Sequence, residues 1–491
     1  MVVKDQSPKI KVQSSQPPLR VAILSPEAVP FAKVGGLADV SGALTKALRA
    51  EGVDSLLVLP LYDQIDRSHL TIFVEDLEVN WRGRRSPIRV WQSDQLTART
   101  YFVEASLYFA RGKIYGDPDD FERFAFFCRA AIALLRWLDK PTDVVHCNDW
   151  QCGFASVEMR RLRRSDEFFA KTRILFSIHN LAYQGLFNPS DLWWLGFTEE
   201  TEDFTISGAA SALKAGIIAA DALSTVSPRY AREIQTPEQG HGLDWLTRAR
   251  SNRLIGITNG VDYEVWNAET DPHIAAHFSA KDLSGKRNCK LDLLRRFGLP
   301  QEPKRPIIAI ISRLVPQKGY DLIRQAARGI LGTGAFFIAL GAGAREYEDF
   351  LQGWHDTAPD RVGIYKGFAG EPLAHQIEAG ADLFLMPSLY EPCGLNQMYS
   401  MRYGTVPVVR ATGGLDDTVQ NFNEMTGEGN GFKFGPYSAP AMLEKIREGL
   451  YFYTKPDAWM KIQRNGMRID NSWSAAAKKY IELYSELPNL N

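Results

Sequence analysis

Short apolar runs, each followed by a Gly, Ser or Pro turn and then an amphipathic stretch, recur along nearly the whole chain. That alternation is the pattern of parallel α/β sheets. The first set of predicted strands covers residues 19–24, 55–59, 143–146, 173–178 and 222–226, with helical stretches such as 38–50 and 121–138 between them. A charged, helix-prone segment at 281–297 ends at Gly298-Leu299-Pro300. A second set of strands follows at 307–311, 336–340, 362–365, 383–386 and 406–409. Two such sets predict two doubly wound domains. At 491 residues the chain is too long for one ordinary core, because single cores stop growing well before this size. The expected division is a polar tail over 1–18, a Rossmann-like domain over 19–255 and a second over 256–472, with the hinge near 254–259.

Composition narrows the partners. Lys and Arg total 57 against 58 for Asp and Glu, a formal net charge of -1, so no global field draws in nucleic acid or an anionic membrane. Cys128, Cys147, Cys152, Cys289 and Cys393 form neither a disulfide framework nor a C-x-x-C metal pair. Residues 1–18 are polar and lack the apolar stretch of a signal peptide, and the longest apolar runs, 306–311 and 335–340, are far too short to span a bilayer. The expectation is a soluble protein in a reducing compartment. No feature fixes an oligomeric state.

Two glycine-rich turns echo each other across the halves: Val34-Gly35-Gly36-Leu37-Ala38-Asp39 and Thr412-Gly413-Gly414-Leu415-Asp416-Asp417. Each leads into a predicted helix, where backbone N–H groups and the helix N-terminus favour an anion. Lys33 adds a charge beside the first. Ser312-Arg313-Leu314-Val315-Pro316-Gln317-Lys318-Gly319 follows the first strand of the second set. Arg313, suited to bidentate contact, and the mobile charge of Lys318 can converge there on a pyrophosphate. Two fixed cations at a departing phosphate stabilise the transition state more than the ground state.

Glu391, in Ser388-Leu389-Tyr390-Glu391-Pro392-Cys393-Gly394-Leu395, lies in a short turn before a helix. There a carboxylate can grip sugar hydroxyls or balance positive charge at an anomeric carbon, and it equally fits a helix start favoured by the dipole. His179 and Asp149 follow other strands of the first set, at the ends where open α/β sheets bind ligands, although a lone His after a strand more often serves structure than catalysis. Trp150, Tyr183, Phe187, Trp193 and Trp194 around them can stack on sugar rings or fill core. Asp117-Pro118-Asp119, with no His or Cys nearby, reads as a solvated loop and not a metal site. Neither Val34–Asp39 nor Gly341-Ala342-Gly343 completes a dinucleotide fingerprint.

Together these segments resemble the bacterial glycogen synthase and plant starch synthase family, from about residue 19 to residue 484. The likeness is densest over 388–418, with its EPCGL and VVRATGGLDDTV stretches. The resemblance implies the glycosyltransferase-B fold, two Rossmann-like domains facing each other across a cleft, with a final helix (473–491) returning to the first domain. It implies transfer of glucose from ADP-glucose to the non-reducing end of an α-1,4-glucan with retention, with no metal and no cofactor. In that reading Lys33, Gly35 and Gly36 approach the donor, His179 lines the glucose site and Asp149 sits near the reacting sugar. Arg313 and Lys318 hold the diphosphate, while Glu391, Cys393, Gly394 and Leu395 hold the glucose. Thr412, Gly413 and Gly414 complete the phosphate pocket, and Phe368 lies against adenine. Asp39 and Tyr183 meet the acceptor. The expected place of action is the cytoplasm or a plastid stroma, with glucan granules as a further partner.

Two departures stand out. The wider superfamily often has a second glutamate eight positions after the first, where this chain has Tyr399. The loop 108–120 is shorter than in many relatives, which bears on acceptor length. Rival readings are a sucrose or trehalose-phosphate synthase, a nucleotide-sugar epimerase of the same fold, or a glucan-binding protein without catalysis.

Overall fold

The computed structural model describes residues 18–367 and 370–487, so the predicted tail lies outside the described residues but for Pro18. The strands in chain order begin with β1 (Arg20–Leu24), β2 (Asp54–Pro60), β3 (Thr71–Trp81), β4 (Arg84–Ser93), β5 (Arg99–Glu104), β6 (Val144–Asn148) and β7 (Arg173–Ile178). A small sheet of β8 (Leu186–Phe187), β9 (Thr205–Ile206) and β10 (Ala209–Ser211) precedes β11 (Ala222–Thr225) and β12 (Leu254–Gly256). Outside the small sheet these build a nine-stranded sheet of order β12-β11-β7-β6-β1-β2-β5-β4-β3. It is parallel from β12 to β5 and antiparallel through β4 and β3. The second sheet holds β13 (Ile307–Ile311), β14 (Phe336–Gly341), β15 (Val362–Lys366), β16 (Leu383–Met386), β17 (Val406–Arg410) and β18 (Phe432–Phe434). It is wholly parallel, in the order β15-β14-β13-β16-β17-β18.

Each of the predicted strands appears within two residues of its expected bounds. β1, β2 and β6 are buried along their full length, because helices cover both faces, and their sequences show no in-and-out alternation. The helix Gly36–Ala50 buries Leu37, Val40, Leu44 and Leu48, spaced three and four apart, against that sheet. β3, β4 and β5 were not predicted. From Leu77 to Trp81 β3 alternates buried and exposed residues, as an antiparallel strand with one solvated face does.

The topology places the site. In the first sheet the chain order reverses between β1 and β6, and in the second between β13 and β16. Open α/β sheets bind ligands beyond the carboxyl ends of strands at such reversals. The helix Trp473–Glu486 packs beside Gly36–Ala50, burying Trp473, Ala477, Tyr480 and Tyr484 in the core of the first sheet. Tyr484 reaches His146 of β6, its hydroxyl 2.8 Å from Nδ1. Burial pushes that imidazole down to about 3, so it is neutral. Among the described residues no helix is long and apolar enough to cross a membrane.

Candidate active site

The loops after β1, β6, β7, β13 and β16 enclose a cleft of about 600 Å³ between the two sheets. From the first sheet it is walled by Gly35, Gly36, Asp149, His179 and Tyr183, and from the second by Arg313, Lys318, Glu391, Cys393, Gly394 and Leu395. The structure thus brings together most of the residues singled out in the sequence.

Glu391 follows β16 and is 7% exposed. Its Oε2 accepts from Lys318 Nζ at 2.5 Å and from Ser388 Oγ at 3.0 Å. Lys318 ends a one-turn helix after β13, closed by Gly319 at φ 76. A Cβ at Gly319 would stand 2.2 Å from the Pro387 carbonyl oxygen, so only glycine lets the two loops meet this closely. Arg313 is exposed on the same wall. Burial pushes the Cys393 thiol up to about 12, leaving it protonated.

Opposite lies Asp149, held at φ 56 in a backbone conformation that costs a non-glycine residue of order 1–3 kcal/mol. Its Oδ1 accepts from the His179 N–H at 2.7 Å. Burial pushes its carboxyl up to about 7, against the pull of the His179 and Asn180 amides. His179 Nε2 lies 2.9 Å from Asn148 Oδ1, and the Asn148 amide nitrogen donates to the Leu24 carbonyl at 3.1 Å. That arrangement gives His179 the Nε2–H tautomer and leaves Nδ1 as an acceptor. Burial pushes its imidazole down to about 3, so it acts as a neutral group.

Other expected positions are placed differently. Lys33 Nζ is tied at 2.7 Å to Asp39 Oδ1 in an exposed pair at the cleft margin. Thr412, Gly413 and Gly414 sit behind the Glu391 loop and not on the cleft wall. Gly414 N donates to the Glu391 carbonyl at 3.2 Å, and Gly413 N donates to Glu233 Oε2 at 3.0 Å. The protein's own carboxylate fills that anion-seeking turn. Phe368 lies outside the described residues. Tyr399 is buried and stacks on Trp266, ring centroids 4.0 Å apart and nearly parallel, while His375 stacks on the same indole at 3.8 Å. That position is structural here.

Among the cleft residues that the sequence did not mark are Glu27, Tyr115, Gln151 and Asn259. Tyr115 comes from the loop read as solvated, and its hydroxyl faces Glu27 without a full hydrogen bond. Asp117 pairs with Lys113 and Arg123, and Asp119 with Arg111, so the acidic loop is an ion-paired frame for Tyr115. Among the described residues no three His, Cys, Asp or Glu side chains group as a metal site would need.

Residues 20–249 match the family model described as the starch synthase catalytic domain, and residues 294–465 match glycosyl transferases group 1. The glycogen synthase of Koribacter versatilis is 44% identical over 480 residues, covering 95% of this chain and 98% of the relative. The glycogen synthase of Geobacillus stearothermophilus is 42% identical, covering 96% and 98%. The chain belongs to the glycogen synthase and starch synthase family. Among solved structures, the catalytic domain of starch synthase IV from Arabidopsis thaliana, bound to ADP and acarbose, superposes with a TM-score of 0.90 at 35% identity, covering 96% of this chain and all of that one. A sucrose-phosphate synthase from Thermosynechococcus elongatus, 18% identical with a TM-score of 0.62, shares the fold alone. As a member of the glycogen and starch synthases, the chain has the glycosyltransferase-B architecture.

Proposed function

We propose that the protein transfers glucose from ADP-glucose to the non-reducing end of an α-1,4-glucan, with retention at the anomeric carbon. The observation that carries this reading is the Lys318–Glu391 pair, a cation and a buried carboxylate 2.5 Å apart on a cleft wall that faces Asp149 and His179. Arg313 and Lys318 would hold the diphosphate and take up the charge that grows on it as the glycosidic bond breaks. They would supply the neutralisation that a divalent cation supplies elsewhere, so turnover should survive a chelator.

Glu391, released from Lys318 as the diphosphate claims that cation, would balance the positive charge at the anomeric carbon and hold glucose hydroxyls. The leaving phosphate oxygen, on the face the acceptor approaches, would take the proton of the incoming 4-hydroxyl. Neutral His179 would accept a sugar hydroxyl at Nδ1, and Asp149 would bind hydroxyls near the reacting centre. Tyr183, 53% exposed at the cleft mouth, offers a stacking face to the acceptor. Full-length similarity to bacterial glycogen synthases supports the glucan acceptor and a cytoplasmic place of action. The ADP and acarbose of the starch synthase IV structure support the adenine nucleotide and the α-1,4-linked sugar. The test is release of nucleoside diphosphate from ADP-glucose and from UDP-glucose, each with and without a malto-oligosaccharide. Acceptor-dependent release of ADP is expected. Release without acceptor, or from UDP-glucose alone, would overturn the assignment.

A further inference from the structure

Glu27 has no part in the reading above, yet it is 3% exposed and borders the cleft. Its Oε2 accepts two consecutive backbone N–H groups of the first glycine turn, Val34 at 2.5 Å and Gly35 at 3.2 Å. The backbone that carries it is tied on both sides. Ser25 Oγ donates to the Glu27 carbonyl at 2.7 Å, the Tyr62 hydroxyl donates to the Pro26 carbonyl at 2.8 Å, and Val29 N donates to the Ala38 carbonyl at 3.0 Å. A carboxylate so anchored is a fixed template for the turn that rests on it. The turn opens the helix Gly36–Ala50, whose N-cap Gly35 has no side chain to cap it, and Glu27 takes the N–H groups of that N-cap residue and of Val34 before it. On its far side a Cβ at Gly36 would meet Leu395 of the Glu391 loop at 3.8 Å, so the turn faces that loop across the cleft.

We propose that Glu27 is a positioning residue, which sets the glycine turn against the Glu391 loop and so fixes the first-sheet half of the donor site. The proposal rests on the glucosyl-transfer reading for its kinetic consequence and on geometry alone for its structural one. Glutamine at position 27 keeps an oxygen able to accept both amides, whereas alanine leaves both without a partner.

The experiment compares the full-length protein with Glu27→Gln and Glu27→Ala. Amide hydrogen exchange of residues 33–37 is measured without ligand, and ADP release is measured over a range of ADP-glucose at saturating malto-oligosaccharide. In Glu27→Ala, exchange at Val34 and Gly35 is expected to quicken at least tenfold. kcat/KM for the donor is expected to fall about a hundredfold, mostly through KM, with the acceptor KM little changed. Glu27→Gln is expected to restore slow exchange and to bring kcat/KM within about tenfold of wild type. Unchanged exchange in Glu27→Ala overturns the proposal. So does a Glu27→Gln protein with slow exchange that is as inactive as Glu27→Ala, since the carboxyl would then act on substrate directly. A wild-type protein that releases no ADP sinks the functional reading, while the exchange arm still judges Glu27.

Discussion

Lys318 Nζ stands 2.5 Å from Glu391 Oε2, both side chains largely shielded, so a cation and a carboxylate are paired on the cleft wall. The pair is held by two loops that touch only because Gly319 has no Cβ to strike Pro387. In the proposed reaction, a diphosphate entering the cleft would compete with Glu391 for the ammonium and so free the carboxylate for the sugar.

Lys318→Ala and Arg313→Ala are each expected to lose about 2–4 kcal/mol of transition-state stabilisation, a fall of roughly 10²–10³-fold in kcat. Glu391→Ala is expected to cost at least as much. Steady-state kinetics with ADP-glucose checks this, and a change confined to KM would mean that the cations bind the donor without acting on the reaction.

Asp149 gives a pH signature. Burial pushes its carboxyl from 3.8 to about 7, so the folded protein holds that proton more tightly than the unfolded chain does. The stabilisation is therefore full below about pH 4 and is lost as the pH rises through 7. Glu27, also pushed up to about 7 by burial, acts in the same sense, and its charge adds to the rise at Asp149. Asp149→Asn cannot ionise and keeps an oxygen for the His179 N–H. Relative to wild type it is expected to gain about 2–4 kcal/mol of unfolding free energy between pH 5 and pH 8. Urea denaturation at the two pH values measures it, and parallel pH dependence in both proteins would show that Asp149 is not the titrating group.

Why some of this was legible in the sequence has a simple physical basis. A parallel strand buried on both faces must be a short apolar run, and the residue just past its carboxyl end must face the ligand side. Position therefore marked Arg313, Glu391, Asp149 and His179 as candidates, while their roles came from the family resemblance. Glu27 was not marked, because its partners are the amides of Val34 and Gly35, and no side-chain pattern marks a carboxylate that serves backbone. Tyr115 was hidden by Asp117 and Asp119, which look like solvated acids until Arg111, Lys113 and Arg123 are seen to neutralise them. The second glycine turn is filled from within the chain. Its amides do seek an anion, and Glu233 from the first half of the chain supplies it.

Gly413 is where that packing can be tested with one methyl group. Its φ is 44, and an added Cβ would stand 2.0 Å from the Glu391 carbonyl oxygen. Gly413→Ala is expected to displace the Glu391 loop and to lower kcat at least tenfold, since a shift of about 1 Å in a positioned group costs that much or more. Gly52→Ala, also at positive φ but in open space, is the control and should keep normal turnover. Equal activity in the two variants would show that the turn does not set the position of Glu391.

The two halves of the chain also hold each other by reciprocal caps. Glu233, at the end of the helix Pro228–Glu233, accepts the Gly413 N–H that opens the helix Gly413–Thr418. Asp417, near the end of that second helix, accepts from the Arg229 N–H at the start of the first, at 2.7 Å. Ser227 Oγ adds a bond of 2.7 Å to the Pro392 carbonyl, next to Glu391. Each cap satisfies a helix-end amide that would otherwise lack a partner, an effect worth about 0.5–2 kcal/mol. Because the two helices follow strands of different sheets, losing either cap loosens the setting of one sheet against the other. Glu233→Ala and Asp417→Ala are each expected to lower unfolding stability by about 1–2 kcal/mol and to raise the donor KM. Their double variant should fall short of the sum by at least about 0.5 kcal/mol, because the second cap has less to hold once the first is gone. A double-mutant cycle by chemical denaturation decides it, and strict additivity with an unchanged donor KM would reduce the caps to two independent local contacts.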